Sequence, residues 1–206
     1  RYARVNTLKT TCRQVIDEFD PIKRASAKEE RTRLWHAKNG TKPPTKKRKP
    51  PSKDLLAAMP TSDPHIRNVL IFPPGKDLHD HPLVKSGQII LQDKSSCFSA
   101  QVLSDSLFSK SNLIDSKMDM IDACAAPGNK TSHLATLLDL RAKEKATSTS
   151  SSSMSPAAPA TSTVFAFDKS APRLAVLERR MREQGANHIV EPMLQSFLDV
   201  DPLDPK

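Results

Sequence analysis

The stretch from Met118 to Leu138 constrains the fold of this chain more than any other. Its first six residues alternate and are apolar enough for a buried strand, Ala126, Pro127 and Gly128 break the pattern, and apolar residues then recur at Leu134, Leu137 and Leu138 with helical spacing. A strand, a tight loop and the opening of a helix are therefore expected. In an open α/β sheet, ligands sit outside the carboxyl ends of the strands, where a loop enters the next helix and backbone N–H groups point outward. Ala125, Ala126 and Gly128 carry almost no side chain, so a ligand could lie against the backbone there.

An ordinary βα turn would use the same small residues, so the loop by itself leaves function open. A second segment narrows the choice. Thr163 to Asp168 (TVFAFD) reads as an apolar strand ending in a carboxylate, the arrangement a nucleoside-binding fold uses to hydrogen-bond a ribose hydroxyl. Neither Gly-x-Gly-x-x-Gly nor a Gly-Lys-Ser/Thr loop occurs, which argues against a dinucleotide or a triphosphate and hence against a dehydrogenase.

The ten residues from Asp122 to Thr131 (DACAAPGNKT) resemble the cofactor-binding signature of the Nop/Sun (RsmB-type) RNA cytosine-5 methyltransferases, which use S-adenosylmethionine. Flanking stretches follow in the family's order: RVNTLK from Arg4 to Lys9, HPLVKSG from His81 to Gly87, and IILQDKSSC from Ile89 to Cys97. The run DLHDHP from Asp77 to Pro82, together with Asn129 in the loop, is most similar to the branch that modifies large-subunit ribosomal RNA. By this resemblance, Cys124, Ala125, Ala126, Pro127, Gly128, Asn129 and Lys130 line the methionine and ribose of the cofactor. Asp168 bonds the ribose hydroxyls, and Arg173 sits near the same pocket. In the family an acidic residue stands where Ser196 stands here, leaving Asp199 as the nearest carboxylate for an adenine contact.

The chemistry implied is methyl transfer to C5 of cytosine, a carbon that becomes nucleophilic only after a cysteine thiolate has added to C6. The family carries its nucleophilic and releasing cysteines in Pro-Cys and Thr-Cys dipeptides after the fourth and fifth strands. Here the only Thr-Cys is Thr11-Cys12, and Lys206 falls before the fourth strand, so no catalytic residue is assigned and Cys124 is read as a loop residue. The resemblance implies an α/β chain: the N-terminal half of a doubly wound, Rossmann-like class I methyltransferase domain, preceded by part of a small α+β RNA-recognition-like domain. Division falls at residues 1–75 and 76–206, with insertions at about 23–53 and 146–162. With its first strand central and no fourth strand, the chain as it stands is expected to expose one sheet edge, to fold poorly and to methylate nothing. The competing reading is a non-catalytic nucleolar RNA-binding or ribosome-assembly protein that keeps the fold.

Charge points toward the same partner. Residues 1–53 hold 16 Lys and Arg against 5 Asp and Glu, whereas the remainder holds 16 against 18, so the net charge of +9 belongs to the N-terminal quarter. Such a footprint suits RNA, whose phosphates supply affinity that weakens with salt. Lys42 to Lys53 (KPPTKKRKPPSK) brackets a basic cluster with prolines and can bury no core. Lys46, Lys47, Arg48 and Lys49 read as a nuclear import signal, with an RNA arm and a solvated loop as the alternatives, and so favour a nuclear, specifically nucleolar, location.

Mean hydropathy of −0.50 excludes a spanning helix, and no apolar stretch near Arg1 suits a signal peptide. Three cysteines without CxxC spacing indicate neither a disulfide framework nor zinc. His79 and His81 beside Asp77 and Asp80 lack a third ligand at matching spacing, so loop hydrogen bonding is expected rather than a metal. No membrane partner is expected, and a complete chain is read as a monomer.

Local patterns fill in the rest. Tyr2 to Thr7 reads as a strand, Thr10 or Thr11 as the cap of a helix carrying Val15, Ile16 and Phe19, and Pro21 as its end. Asp54 to Met59 has a short helical pattern, Asn68 to Phe72 and Gly87 to Gln92 read as strands, and Asp93 caps a helix from Ser95 toward Leu107. A further helix is expected from about Thr131 to Lys145, followed by the Ser/Thr/Ala/Pro run to Ser162. Ser170 caps a helix with Leu174, Leu177 and Met181 inward, Gly185 stops it, and His188 to Val190 forms a third parallel strand.

Overall fold

A computed structural model describes residues 1–42, 59–75, 77–108, 118–149, 162–201 and 203. Strand β1 (Tyr2–Val5) is central in the first of two sheets. It pairs antiparallel with β3 (Val69–Ile71) on one side, Ala3 opposite Leu70, and with β4 (Ile89–Leu91) on the other, Arg4 opposite Ile90. The short β2 (Thr61–Ser62) extends the β3 edge. Alternation along β1 sends Ala3 and Val5 into a core with Val15, Phe19, Leu70 and Phe72, and sends Tyr2 and Arg4 to the opposite face.

Helix α1 (Cys12–Phe19) covers that core. Thr11 caps it in a reciprocal box with Gln14, as the Thr-x-x-Gln spacing predicts. Phe19 then packs edge-on against Phe72 at 5.0 Å and stacks on His81 at 4.8 Å. His81 caps the short helix α3 (Pro82–Lys85) by accepting the Leu83 N–H at its Nδ1, while Asp77 accepts the His79 N–H; these histidines are loop and cap elements.

Helix α1 stops before Pro21, as read from sequence, with Asp20 extended as its C-cap, but Pro21 is also the first residue of a second helix that the pattern did not show, α2 (Pro21–Lys38). Asp20 closes α1 through its N–H to Asp17 and opens α2 by accepting the Arg24 N–H, and proline's fixed φ suits a first helical position. Much of the segment expected to be a Pro-rich insertion from residue 23 is therefore helical. It lacks an apolar stripe, the signal that would have marked it. The patterns read at Lys46 to Lys49 and at 54–58 lie outside the described residues.

Helix α4 (Lys94–Phe108) leads from β4 toward the second module, and Ala100 joins that module's core. There β5 (Met120–Asp122), β6 (Val164–Phe167) and β7 (Val190–Met193) form a parallel sheet in that order, Met120 opposite Val164 and Phe167 opposite Met193. Helices α5 (Asn129–Thr149) and α6 (Ala171–Gln184) supply Leu134, Ala135, Leu138, Leu177 and Met181 to its core. Among the described residues β5 has no neighbour on its outer edge, and Ile121 is 53% exposed there.

Several boundaries move for local reasons. Because β4 pairs into the first sheet, that sheet runs through Leu91, and a division after residue 75 would cut it. Helix α5 begins at Asn129, since Ser132 N–H already bonds Gly128 O. It runs to Thr149, so the low-complexity run does not begin at 146; residues 150–161 are not described. Strand β7 begins at Val190, because Ile189 and Val190 both donate to Ala186 O in the turn after Gly185. Ser170 stands at the cap position of α6, but its side chain makes no capping bond. Among the described residues no helix is long and apolar enough to cross a membrane.

The two sheets are tied by buried polar side chains of the first strand and its loop. Asn6 Nδ2 donates to Gly87 O at 2.8 Å and to Gln184 O at 2.8 Å, joining β1, the turn before β4 and the end of α6. Asn6→Ala would leave both carbonyls unsatisfied in a buried setting, at about 1–3 kcal/mol each. Urea denaturation of this variant is expected to show a loss of about 2–4 kcal/mol.

Candidate functional site

The loop between β5 and α5 is held from three sides. From below, Asp122 accepts the Thr131 hydroxyl at 2.7 Å and the Cys124 N–H at 3.4 Å, while Thr131 also donates to Ala125 O at 3.3 Å. From β6, Phe167 O accepts the Ala125 N–H, and the Asp168 carboxylate accepts the N–H groups of Ala126 at 3.3 Å and Ser170 at 3.0 Å. From α6, Arg173 donates to Ala126 O at 2.6 Å and lies 3.3 Å from Asp168, and Arg180 donates to Asn129 Oδ1 at 3.1 Å. Gly128 has no substitute in this arrangement: its φ is +101°, and a Cβ would meet Met181 Cε at 2.8 Å.

A cleft of about 430 Å³ opens between this loop and the first sheet. Cys124, Ala125, Ala126, Pro127, Asn129 and Lys130 line one wall; Arg1, Tyr2, His79, Leu91, Gln92, Asp93 and Ser96 line the rest. Of the residues picked out from sequence, six thus face one space. Gly128, Asp168 and Arg173 lie outside its lining and brace the loop instead. Asp168 is 4% exposed, with both oxygens engaged by the loop and by the start of α6, so in this structure it holds the loop, whereas the sequence reading gave it a ribose contact. Ser196 precedes a 3-10 turn (Phe197–Asp199) beyond β7, where Phe197 packs edge-on against Phe167.

Chemically, the cleft offers what an amino-acid-bearing nucleoside needs. Unpaired N–H groups in the first turn of α5 and the Lys130 ammonium favour an anion such as a carboxylate, and Asp93 can take an ammonium group. The nearly bare backbone at Ala125 and Ala126 lets a flat ligand approach. No cysteine is prepared as a nucleophile: burial pushes the thiols of Cys12 and Cys97 up, and Cys124 lies exposed on the loop.

Sequence reasoning missed the residue that connects the two walls. Arg4 is buried, and its guanidinium donates to Gln92 Oε1 at 3.1 Å, Ser132 Oγ at 2.7 Å, Asn129 O at 3.2 Å and Thr136 Oγ1 at 3.4 Å. Among the described residues no carboxylate accompanies it, and burial lowers its pKa to about 10. Its place in the RVNTLK run marks it as part of a pattern, but hydrogen bonds to residues 125 to 132 positions away leave no trace in spacing.

Beside Arg4, His133 is buried with its Nδ1 unpartnered, and burial, reinforced by the Arg4 charge, pushes its pKa down to about 2. The folded state thus keeps His133 neutral, whereas the unfolded chain protonates it near 6.5. Stability present above pH 6.5 is lost as pH falls toward the folded value, at up to about 1.4 kcal/mol per pH unit. Denaturant midpoints are expected to fall between pH 6.5 and 5 by the equivalent of about 2 kcal/mol, and His133→Leu should flatten that slope.

The sequence model of the NOL1/NOP2/Sun domain family member 5, ferredoxin-like domain, matches residues 49–92, the region that supplies β2 to β4. The chain is 34% identical over 207 aligned residues to the 28S rRNA (cytosine-C(5))-methyltransferase of Mus musculus, covering 99% of this chain and 34% of that protein. It is 32% identical over 143 residues to the 25S rRNA (cytosine-C(5))-methyltransferase NSUN5 of Arabidopsis thaliana, covering 69% of this chain and 20% of that one. The chain therefore spans about a third or less of the length of these relatives. A solved methyltransferase homolog from Pyrococcus horikoshii shares its fold with a TM-score of 0.52 at 21% identity, over 96% of this chain and 44% of that one. NSun6 from the same organism, solved with SFG, does so at 0.54 and 16%, over 94% and 57%.

Proposed function

Starting from the premise that the chain belongs to the NOL1/NOP2/Sun family, large-subunit rRNA branch, we propose that it is the cofactor-binding part of an S-adenosylmethionine-dependent rRNA cytosine-5 methyltransferase. The loop from Asp122 to Thr131 carries this reading, because six of its residues line one cleft with an anion-favouring helix start behind them. The relatives' printed substrates support RNA as the partner, and SFG in the NSun6 structure supports a nucleoside cofactor.

S-adenosylmethionine, when bound, supplies a methyl group made electrophilic by its sulfonium. The work of this chain is to bind and orient. Backbone at Ala125 and Ala126 forms the floor, and Lys130 with the first turn of α5 holds the carboxylate. Asp168 and Arg173 keep the loop in register. Neither Cys124 nor Cys97 attacks cytosine in this reading; the thiolate comes from outside these residues.

Asp168→Ala removes the acceptor for the Ala126 N–H of the loop and the Ser170 N–H at the start of α6, and the partner of Arg173. Calorimetric affinity for S-adenosylmethionine is expected to fall at least tenfold, about 1.4 kcal/mol, with the circular dichroism unchanged. An unaltered affinity rejects the site.

For location we rely on the basic cluster at Lys46, Lys47, Arg48 and Lys49. Replacing all four by Ala should shift a fluorescently tagged protein from the nucleus, and its nucleolus, to the cytoplasm. Continued nuclear accumulation would leave the cluster as an RNA-binding arm or a passive loop.

A further inference from the structure

Helix α2 is 18 residues long, yet none of its described side chains is buried. A helix that contributes nothing to a core needs another reason for its composition. At 100° per residue, Lys23, Ala27, Arg31, Leu34 and Lys38 fall in one row along its length, and Arg24, Lys28 and Trp35 fall in the row beside it. One face thus carries five cations, a tryptophan and a leucine, and no carboxylate. Glu29 and Arg33 lie on the other side, where Arg33 approaches Glu29 at 3.8 Å, and Glu30 borders the basic row beside Lys23 and Leu34.

The two apolar residues on the basic face are conspicuously out of the core: Leu34 is 64% and Trp35 57% exposed. Lys23 is occupied by Asp17 of α1, and Asp17 and Glu18 flank the near end of the face. Arg24, Lys28, Arg31 and Lys38 make no ion pair with a carboxylate among the described residues. The far end is kept helical by Asn39, whose side chain donates to Trp35 O at 2.7 Å, and by Thr41, which bonds His36.

We propose that this face of α2 is an RNA-docking surface, with Arg24, Lys28, Arg31 and Lys38 on phosphates of one strand and Trp35 stacked on an unpaired base. The inference rests on the reading of the chain as acting on RNA and deepens it by naming the surface. Cations one turn apart at Arg24, Lys28 and Arg31, with Lys38 two turns further on, match a polyanion, and an aromatic ring among them is the usual platform for a splayed-out base. The cofactor cleft is built from other elements, so docking and cofactor binding are separable.

The test uses the quadruple variant Arg24→Gln, Lys28→Gln, Arg31→Gln, Lys38→Gln and the single variant Trp35→Ala. Affinity for a large-subunit rRNA stem-loop is measured across a salt series, and S-adenosylmethionine affinity is measured alongside. The quadruple variant is expected to bind RNA at least tenfold more weakly, with the slope of log K against log salt shallower by about 3, near 0.7–0.9 for each phosphate no longer neutralised. Trp35→Ala should weaken binding several-fold at unchanged slope. RNA should also quench the fluorescence of Trp35, the single tryptophan of the sequence. Unchanged affinity and slope overturn the proposal, as does competition by polyglutamate as effective as by RNA, which would mark the face as a site for acidic protein. Loss of cofactor binding in the unaltered protein would instead overturn the reading of the cleft and leave the RNA result to stand on its own.

Discussion

A guanidinium with no counterion among the described residues sits at the junction on which this structure turns. Arg4 leaves the central strand of one sheet and ends against the first turn of the helix that starts the other module's ligand loop. Burying such a group costs several kcal/mol unless every N–H finds an acceptor. Here a carboxamide, two hydroxyls and a main-chain carbonyl take four of the five N–H groups, and Gln92 is itself steadied by Ser96 O. The position of the first sheet relative to the loop is thereby specified by directional bonds rather than by apolar area. A positive charge is also kept beneath a helix start that already favours anions, and the neutrality of His133 is part of the same electrostatic setting.

The loop depends on what it lacks as much as on what it contains. Small side chains at Ala125 and Ala126 open the backbone to a ligand, but a bare backbone has no intrinsic reason to hold one shape. Shape comes from Asp122 and Thr131 within the motif, and from Asp168, Arg173 and Arg180 outside it. Gly128 adds a steric condition, since Met181 and Leu177 of α6 occupy the space a side chain would need. Binding loop and core packing therefore cannot be altered independently.

Charge is segregated along the chain, and the fold converts that segregation into geometry. Excess basic residues in the N-terminal quarter are not spread over the first sheet, whose faces are committed to the α1 core and to the Arg4 junction. Many are gathered on α2, outside both cores. Cofactor chemistry and polyanion attraction are thus assigned to different elements, which lets each be tuned without disturbing the other.

Much of this was legible in the sequence, for reasons that are local. Alternation and spacing marked β1, β3, β4, β5 and β6, and the stripe Leu174, Leu177, Met181 marked α6; Thr10 and Thr11 were the two candidates for the cap of α1, and the structure takes Thr11. The motif from Asp122 to Thr131 pointed to the loop and six of the cleft's lining residues. Helix α2 escaped because its signal is charge on one face, not an apolar stripe, and because Pro21 stops a helix or starts one according to whether Asp20 serves as a junction. The start of β7 escaped because the turn after Gly185 takes two more residues than the pattern suggests. Sequence by itself determined most of the strands and helices, α2 and β2 apart, and which loop is chemically permissive, since these follow from neighbours a few residues apart. Only the tertiary structure decided that Arg4 would meet Asn129 and Ser132, that Asp168 would hold Ala126, and that β4 would join the first sheet. Those pairings bring together residues tens to more than a hundred positions apart, and they are selected by burial and hydrogen-bond satisfaction in the assembled fold.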